Sequence, residues 1–214
     1  MTTDPKALIA ARAARELRPG EVVNLGIGIP NLIPGHLSAD TEIFLHTENG
    51  LLGVGPRPTE EELDPDLVDA AKRPITALPG ASYFDSASSF AMIRGGHVDV
   101  AVLGALQVSE RGDIANWAIP GSDVLGVGGA MDLVVGAGRV VVTMTSTTPT
   151  GERKLIRECT LPLTAREAVD VVVTELAVFR FRNEPLALTG LLGGATVEDV
   201  DRVTGARYTV ELER

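Results

Sequence analysis

One carboxylate is set where it could do chemistry. Glu48 follows the strand-like run Glu42 to Thr47 and precedes Asn49-Gly50. Asn-Gly after such a run signals a turn, and read locally this is a hairpin with an exposed Glu beside it. The other reading is chemical. At the end of a buried strand, where α/β sheets collect ligands, Glu48 would meet a bound substrate. Gly50, lacking a side chain, would let a ligand or another backbone come close. Two glycine-rich stretches could serve anions. Gly26 and Gly28, in Gly26-Ile27-Gly28-Ile29-Pro30-Asn31, lie between a strand signal and a helix signal, as phosphate-binding loops do. Asn31 stands where the dinucleotide fingerprint has its third glycine, so NAD is weakly indicated and a tight strand-to-helix turn is the simpler local reading. Gly128, Gly129 and Ala130, in Gly126-Val127-Gly128-Gly129-Ala130, could aim backbone N–H groups at an oxyanion. Close packing of helix on sheet would leave the same pattern.

The other reactive side chains read as structural. His36, His46 and His97 share no sequence neighbourhood. His97 follows Gly95-Gly96 at a helix end, and His46 alternates with buried positions of its strand. Cys159 is the single cysteine, with no Cys or His at metal-ligand spacing. It reads as a reduced thiol in a half-buried strand, and no metal site is expected.

Positioning these groups takes alternating elements. A helix is predicted over Pro5 to Leu17, from Ala7, Leu8, Ala11 and Ala14 at helical spacing and the stop at Pro19-Gly20. Val22 to Leu25 and Glu42 to Thr47 read as strands, with a short helix near Leu32 to Leu37 between them. Residues 53–66, rich in Pro and Glu, read as a surface loop long enough to be functional. Ser86 to Arg94 reads as a helix, Val98 to Leu103 as a buried strand and Glu110 to Asp113 as a turn. Arg139 to Met144 reads as a strand leading into a polar loop, Thr145 to Gly151. A helix is predicted over Ala165 to Glu175 and a strand over Ala177 to Arg182. Thr196 caps a short helix near Val197 to Val203, with Glu198 and Asp199 in its first turn. The alternation predicts an α/β fold with a largely parallel sheet, in a single domain over 1–214.

Bulk composition narrows the function. In 214 residues, apolar side chains reach 44% but aromatics only 4%, so the core is expected from Val, Leu, Ile and Ala, which suits parallel strands buried under helices. The net charge is −10 with no basic stripe, so no nucleic acid is expected as a partner. An anionic substrate would need a locally positive site or one built from backbone N–H groups. Met1 to Leu8 shows no apolar leader, and no stretch approaches about 18 uninterrupted apolar residues. A cytoplasmic protein that does not engage a membrane is expected.

Taken together, the motifs resemble those of the B (beta) subunits of 3-oxoacid CoA-transferases, the succinyl-CoA:3-ketoacid and 3-oxoadipate type. They are Asn24-Leu25-Gly26-Ile27-Gly28-Ile29-Pro30, Glu48-Asn49-Gly50-Leu51-Leu52-Gly53, Leu78-Pro79-Gly80-Ala81-Ser82-Tyr83-Phe84-Asp85, Phe90-Ala91-Met92-Ile93-Arg94-Gly95-Gly96 and Gly128-Gly129-Ala130-Met131-Asp132-Leu133-Val134. They follow the family's order over almost the whole chain. The resemblance implies an open α/β domain that pairs with the family's other, A-type polypeptide, in an A/B heterodimer or an A2B2 assembly. It makes Glu48 the nucleophile, with coenzyme A a substrate and no permanently bound cofactor. Acyl-CoA and carboxylic acids would be the substrates. Asn49, Gly50, Gly26, Gly28, Gly128, Gly129 and Ala130 are the candidates for holding them or their oxyanions.

Two departures from the family pattern stand out. Thr47 replaces a frequent Ser. Where relatives carry Glu-His-Thr-Ala-Lys, this chain has Thr145-Ser146-Thr147-Thr148-Pro149, which removes a Lys and leaves the acid pair open. A sugar-phosphate isomerase of similar fold class and a non-catalytic CoA-binding module are the competing readings.

Overall fold

The computed structural model describes residues 4–38, 41–121, 126–181 and 186–213. In chain order, α1 (Pro5–Ala13) leads to β1 (Val22–Leu25), a 3-10 segment (Ile29–His36), β2 (Phe44–Thr47), β3 (Leu51–Val54) and β4 (Ala77–Tyr83). Next come α2 (Ser86–Arg94), β5 (Val100–Gly104), β6 (Gln107–Ser109), β7 (Ile114–Ala115), α3 (Ala130–Gly136) and β8 (Arg139–Thr143). The last elements are β9 (Leu155–Ile156), β10 (Val171–Val173), β11 (Ala177–Phe181), β12 (Leu186–Leu191), α4 (Val197–Val203) and β13 (Thr209–Val210).

Ten strands form one sheet in the order β13-β12-β11-β10-β8-β5-β1-β2-β3-β4. The inner strands β10, β8, β5, β1 and β2 are parallel. On one flank β3 pairs antiparallel with β2 and β4 with β3; on the other β11 pairs antiparallel with β10 and with β12, and β13 adds to β12 in parallel. A second sheet holds β7, β6 and β9. The predicted largely parallel sheet is therefore present at the centre.

The valine runs explain that centre. Val100 and Val102 face one layer with Val141, Val171 and Val173, packed on Ile9, Ala10 and Ala13 of α1. Ala101, Leu103, Val140, Val142 and Val172 face the other, packed on Ile93 of α2, Leu133 and Val134 of α3 and Val200 of α4. Strands buried on both faces need apolar residues at every position, and β-branched ones fit the pleat.

Local signals set the helix ends. Asp4 caps α1 through the N–H of Lys6, with proline in the first turn. The predicted helix to Leu17 ends early: α1 stops at Ala13, one 3-10 turn covers Ala14–Glu16, and Leu17 is extended. At the end of α2, the N–H of Gly96 bonds to Ile93 O and that of His97 to Met92 O, with Gly96 at φ +76°. This double closure is the Schellman pattern, which favours glycine at that position. Thr196 and Asp199 form a reciprocal capping box on α4.

Two expectations are corrected. Ala165 to Glu175 is not a helix: it contains β10, paired with β8 and β11. Cys159 lies in a loop rather than a strand. Its Sγ donates to the carbonyl of Asp113 at 3.7 Å, and burial, followed by the Asp113 charge, pushes the thiol up to about 11. The predicted strand from Ala177 ends at Phe181 as β11, and Arg182 lies outside the described residues. Among the described residues no helix is long and apolar enough to cross a membrane, and no three His, Cys, Asp or Glu side chains converge as metal ligands.

Candidate active site

Glu48, Asn49 and Gly50 are the turn of a hairpin in which Thr47 pairs with Leu51 and His46 with Leu52. Gly50 has φ +131°, and a Cβ there would stand 2.2 Å from the carbonyl oxygen of Phe84. Glycine is required on both counts. The N–H of Phe84 donates back to Gly50 O at 3.1 Å, so the segment entering α2 is laced to the turn. On its other side the turn is tied to the chain after β3. The Thr47 hydroxyl accepts from the N–H of Ala70 at 3.0 Å and donates to Asn49 Oδ1 at 2.7 Å. Asn49 Nδ2 donates to Val68 O at 2.8 Å. The hairpin reading holds, yet Glu48 is half-buried and lines a cavity of about 1000 Å³.

The cavity sits at the carboxyl ends of β1, β2 and β5, where parallel sheets leave a crevice. Its wall takes Gly26 and Ile27 from β1, Leu103 to Ala105 from β5, Asn116 and Trp117 after β7, and Gly126 to Ala130 before α3. The connection from β3 to β4 supplies Val54 to Arg57 and, further on, Asp69, Arg73 and Pro74. Of the predicted loop 53–66, only its first residues reach this wall. Arg73 is paired with Asp69 at 2.8 Å. Arg57 has no carboxylate partner among the described residues.

The sequence candidates divide here. Gly26, Gly128, Gly129 and Ala130 share the cavity with Glu48, whereas Gly28, Asn49 and Gly50 are absent from its lining. The N–H of Gly26 is committed to Val102 O at 2.8 Å, and a Cβ there would press on Leu103. Gly26 thus serves close packing of β1 on β5. Gly28, exposed at φ +96°, accepts from Asn31 N–H at 3.2 Å, as a tight turn requires. The N–H of Ala130 donates to Val127 O at 3.3 Å. Among the described residues no hydrogen bond takes the N–H of Gly128 or Gly129. A Cβ on Gly129 would lie 3.5 Å from Cγ of Glu48, which places this loop beside the carboxylate.

Sequence reasoning missed what stands behind Glu48. Asn24 in β1 is buried, and its Nδ2 donates to Glu48 Oε2 at 3.1 Å. The same Nδ2 lies 3.1 Å from Nδ1 of His46, its register partner on β2. Nε2 of His46 is 3.1 Å from Oγ of Ser89, a fully buried residue of α2. Burial pushes His46 down to about 4, so the ring is neutral at pH 7. A single Asn inside the Val-Val-Asn-Leu strand was the available signal, since buried polar groups need partners. His36 and His97 are exposed and away from the cavity. None of residues 145–149 lines the cavity. Their hydroxyls and amides are used locally, as in Thr145 Oγ1 to Thr147 O at 2.7 Å and Ser146 N–H to Glu175 at 2.9 Å.

Comparison with known proteins gives the family. A family model described as coenzyme A transferase matches residues 6–202. The B-type polypeptide of the probable succinyl-CoA:3-ketoacid coenzyme A transferase of Bacillus subtilis is 52% identical over 199 residues, 93% of this chain and 92% of that protein. The beta polypeptide of the acetate CoA-transferase of Escherichia coli is 50% identical over 210 residues, 98% of this chain and 96% of that protein. In structure, an acyl-CoA transferase apoenzyme from Escherichia coli superposes with a TM-score of 0.78 at 22% identity, covering 100% of this chain and 44% of that one, which speaks for the fold alone. With the family model spanning nearly all of it and both relatives aligned along almost their whole length, this chain belongs to the coenzyme A transferase family, among its B-type (beta) polypeptides.

Proposed function

We propose that this chain, paired with an A-type partner in the cytoplasm, moves CoA between succinyl-CoA and a 3-oxo acid such as acetoacetate or 3-oxoadipate, through a glutamyl-CoA thioester on Glu48. One observation carries the reading: a half-buried carboxylate faces a cavity at the carboxyl ends of the parallel strands, with an amide donor behind it and a glycine loop against it.

The steps follow from these groups. An Oε of Glu48 attacks the thioester carbonyl; the C–S bond breaks and CoA leaves as thiolate, giving a mixed anhydride. The thiolate attacks Cδ of Glu48; the bond to the acyl oxygen breaks, the first acid departs as carboxylate, and a glutamyl-CoA thioester remains. A second carboxylate reverses both steps. Splitting the transfer in this way predicts ping-pong kinetics. Each attack develops an oxyanion. Gly128 and Gly129 offer N–H groups that no described residue takes for one on the substrate, and Asn24 Nδ2 faces the oxygen of Glu48 where another would form. Because water would hydrolyse the anhydride, the β3–β4 connection that walls the cavity is a fitting cover. Arg57, without a carboxylate partner among the described residues, supports an acid with a second carboxylate, and the succinyl-CoA names of relatives point the same way.

The test uses the complex with the co-expressed A-type partner. Glu48→Gln should abolish exchange, and acyl-CoA without acceptor should leave the mass of CoA on the peptide carrying Glu48. Normal exchange in Glu48→Gln would overturn the reading.

A further inference from the structure

We propose that His46 is a positioning residue: its unprotonated Nδ1, with the ring proton on Nε2 toward Ser89, holds the Asn24 amide with its N–H groups toward Glu48. The inference rests on Glu48 being the nucleophile.

Asn24 is 1% exposed, and its Oδ1 is buried with no hydrogen-bond partner among the described residues. No described residue therefore grips the oxygen end of the amide. Its orientation is decided by Nδ2 alone, 3.1 Å from Glu48 Oε2 and 3.1 Å from His46 Nδ1. A carboxylate only accepts, so the nitrogen must be the end that faces it. The second proton of Nδ2 then needs an acceptor, which the lone pair of Nδ1 supplies. That places the ring's single proton on Nε2, 3.1 Å from Oγ of Ser89, which accepts it. Phe84 stacks on the imidazole with centroids 5.8 Å apart and planes 11° apart, fixing the ring plane.

The alternative protonation shows what this arrangement protects. A proton on Nδ1 would set two donors against each other. Turning the amide over would relieve that clash and bring Oδ1 against both the ring and the carboxylate. Glu48 would lose its donor and gain a repulsive neighbour. Within this hydrogen-bonded set Glu48 carries the only charge; Asn24, Ser89 and Phe84 are neutral, so no local anion stabilises an imidazolium except through Asn24 itself. The tautomer of a buried ring thereby sets whether an N–H faces the oxygen that becomes the oxyanion during attack at Cδ.

Three variants in the co-expressed complex test this. His46→Phe keeps a stacked ring and removes the acceptor; kcat should fall roughly 10- to 100-fold while KM for acyl-CoA stays within about threefold. His46→Gln offers an oxygen to Asn24 and an N–H to Ser89, and should recover kcat to within about fivefold of wild type. Ser89→Ala acts from the far side of the ring and should lower kcat roughly 3- to 10-fold. Wild-type kcat in His46→Phe, or a His46→Gln as slow as His46→Phe, overturns the proposal. Where His46→Phe does not fold, an unaffected Ser89→Ala overturns it. Exchange surviving in Glu48→Gln removes the nucleophile reading and this inference together, whereas an inactive Glu48→Gln beside an unaffected His46→Phe overturns this inference alone.

Discussion

Gly129 and Glu48 are held against each other without a side chain between them. A Cβ on Gly129 would stand 3.5 Å from Cγ of Glu48 and 3.0 Å from two ring carbons of Phe90. Phe90 is part of α2, the helix that also carries Ser89 to His46. One helix therefore sets both sides of the carboxylate: the loop before α3 through Phe90, and the Asn24 amide through Ser89 and His46. α2 is itself fixed to α3, because Gly136 lets the carbonyl of Ile93 approach to where a Cβ would be 2.3 Å away, and Arg94 pairs with Asp132 at 2.8 Å.

Gly129→Ala should thus harm catalysis more than stability. A contact of 3.0 Å obliges Phe90 or the loop to shift by a few tenths of an ångström, and overpacking of this kind costs about 1–3 kcal/mol. The same shift moves the loop N–H groups relative to Glu48, and misplacement at a reacting centre can cost about 100-fold in rate. Thermal melting and exchange assays on Gly129→Ala, alone and with Phe90→Leu, measure both. The double variant should regain stability; wild-type exchange in the single variant would contradict the placement.

At position 47 the hydroxyl matters and the methyl does not. Thr47 Oγ1 satisfies the N–H of Ala70 and the Oδ1 of Asn49 at once. Thr47→Ser keeps both bonds and should behave as wild type, in line with the Ser that relatives often carry there. Thr47→Val keeps the shape, orphans both partners and should destabilise by about 1–3 kcal/mol. Denaturant melts of the two variants distinguish the roles, and equal stability would show that the turn is held by other contacts.

Much of this is legible in the chain itself, and the rest is hidden for physical reasons. β1, β5, β8, α2 and α4 lie close to where local pattern puts them, because valine runs and caps are local signals. The segment from Ala165 imitates a helix because Ala165, Ala168, Val169, Val172 and Val173 also have helical spacing; pairing of Val171–Val173 with β8 and β11 decides for strand. β4 carries Pro79 and Gly80 on a sheet edge, so only its pairing with β3 reveals it. Glu48 is visible through its motif, but Asn24, His46 and Ser89 meet across three elements, at separations of 22 and 43 residues that no local window spans.

Arg57 provides a check on the acid. A guanidinium in the cavity wall, with no carboxylate partner among the described residues of a chain with net charge −10, is a local exception to its field. Arg57→Leu should lower kcat/KM for succinyl-CoA roughly 10- to 100-fold and leave acetyl-CoA nearly unchanged. Equal losses with both donors would move Arg57 to the CoA moiety common to them and contradict the dicarboxylate reading.

Acid sensitivity should come from the other end of the strands, where Arg139 at the start of β8 donates to Glu16 O. Glu16 is 5% exposed after α1, with Arg180 at 2.8 Å and Arg12 at 2.6 Å. Burial pulls its carboxyl up, but the bonds and charges of Arg180 and Arg12 outweigh that and leave it below the ordinary value of 4.5. A group depressed on folding adds stability that is complete above its unfolded value and is lost as pH falls through the lower folded one. Glu16 therefore contributes fully at pH 7 and should begin to fail only below about pH 4.5. Glu16→Gln leaves two arginines without their buried anion, and removing one partner of such a pair costs about 3–5 kcal/mol. Melting curves between about pH 3 and pH 7 should show wild type approaching the variant at the acid end. Parallel curves across that range would show that Glu16 does not carry the acid dependence.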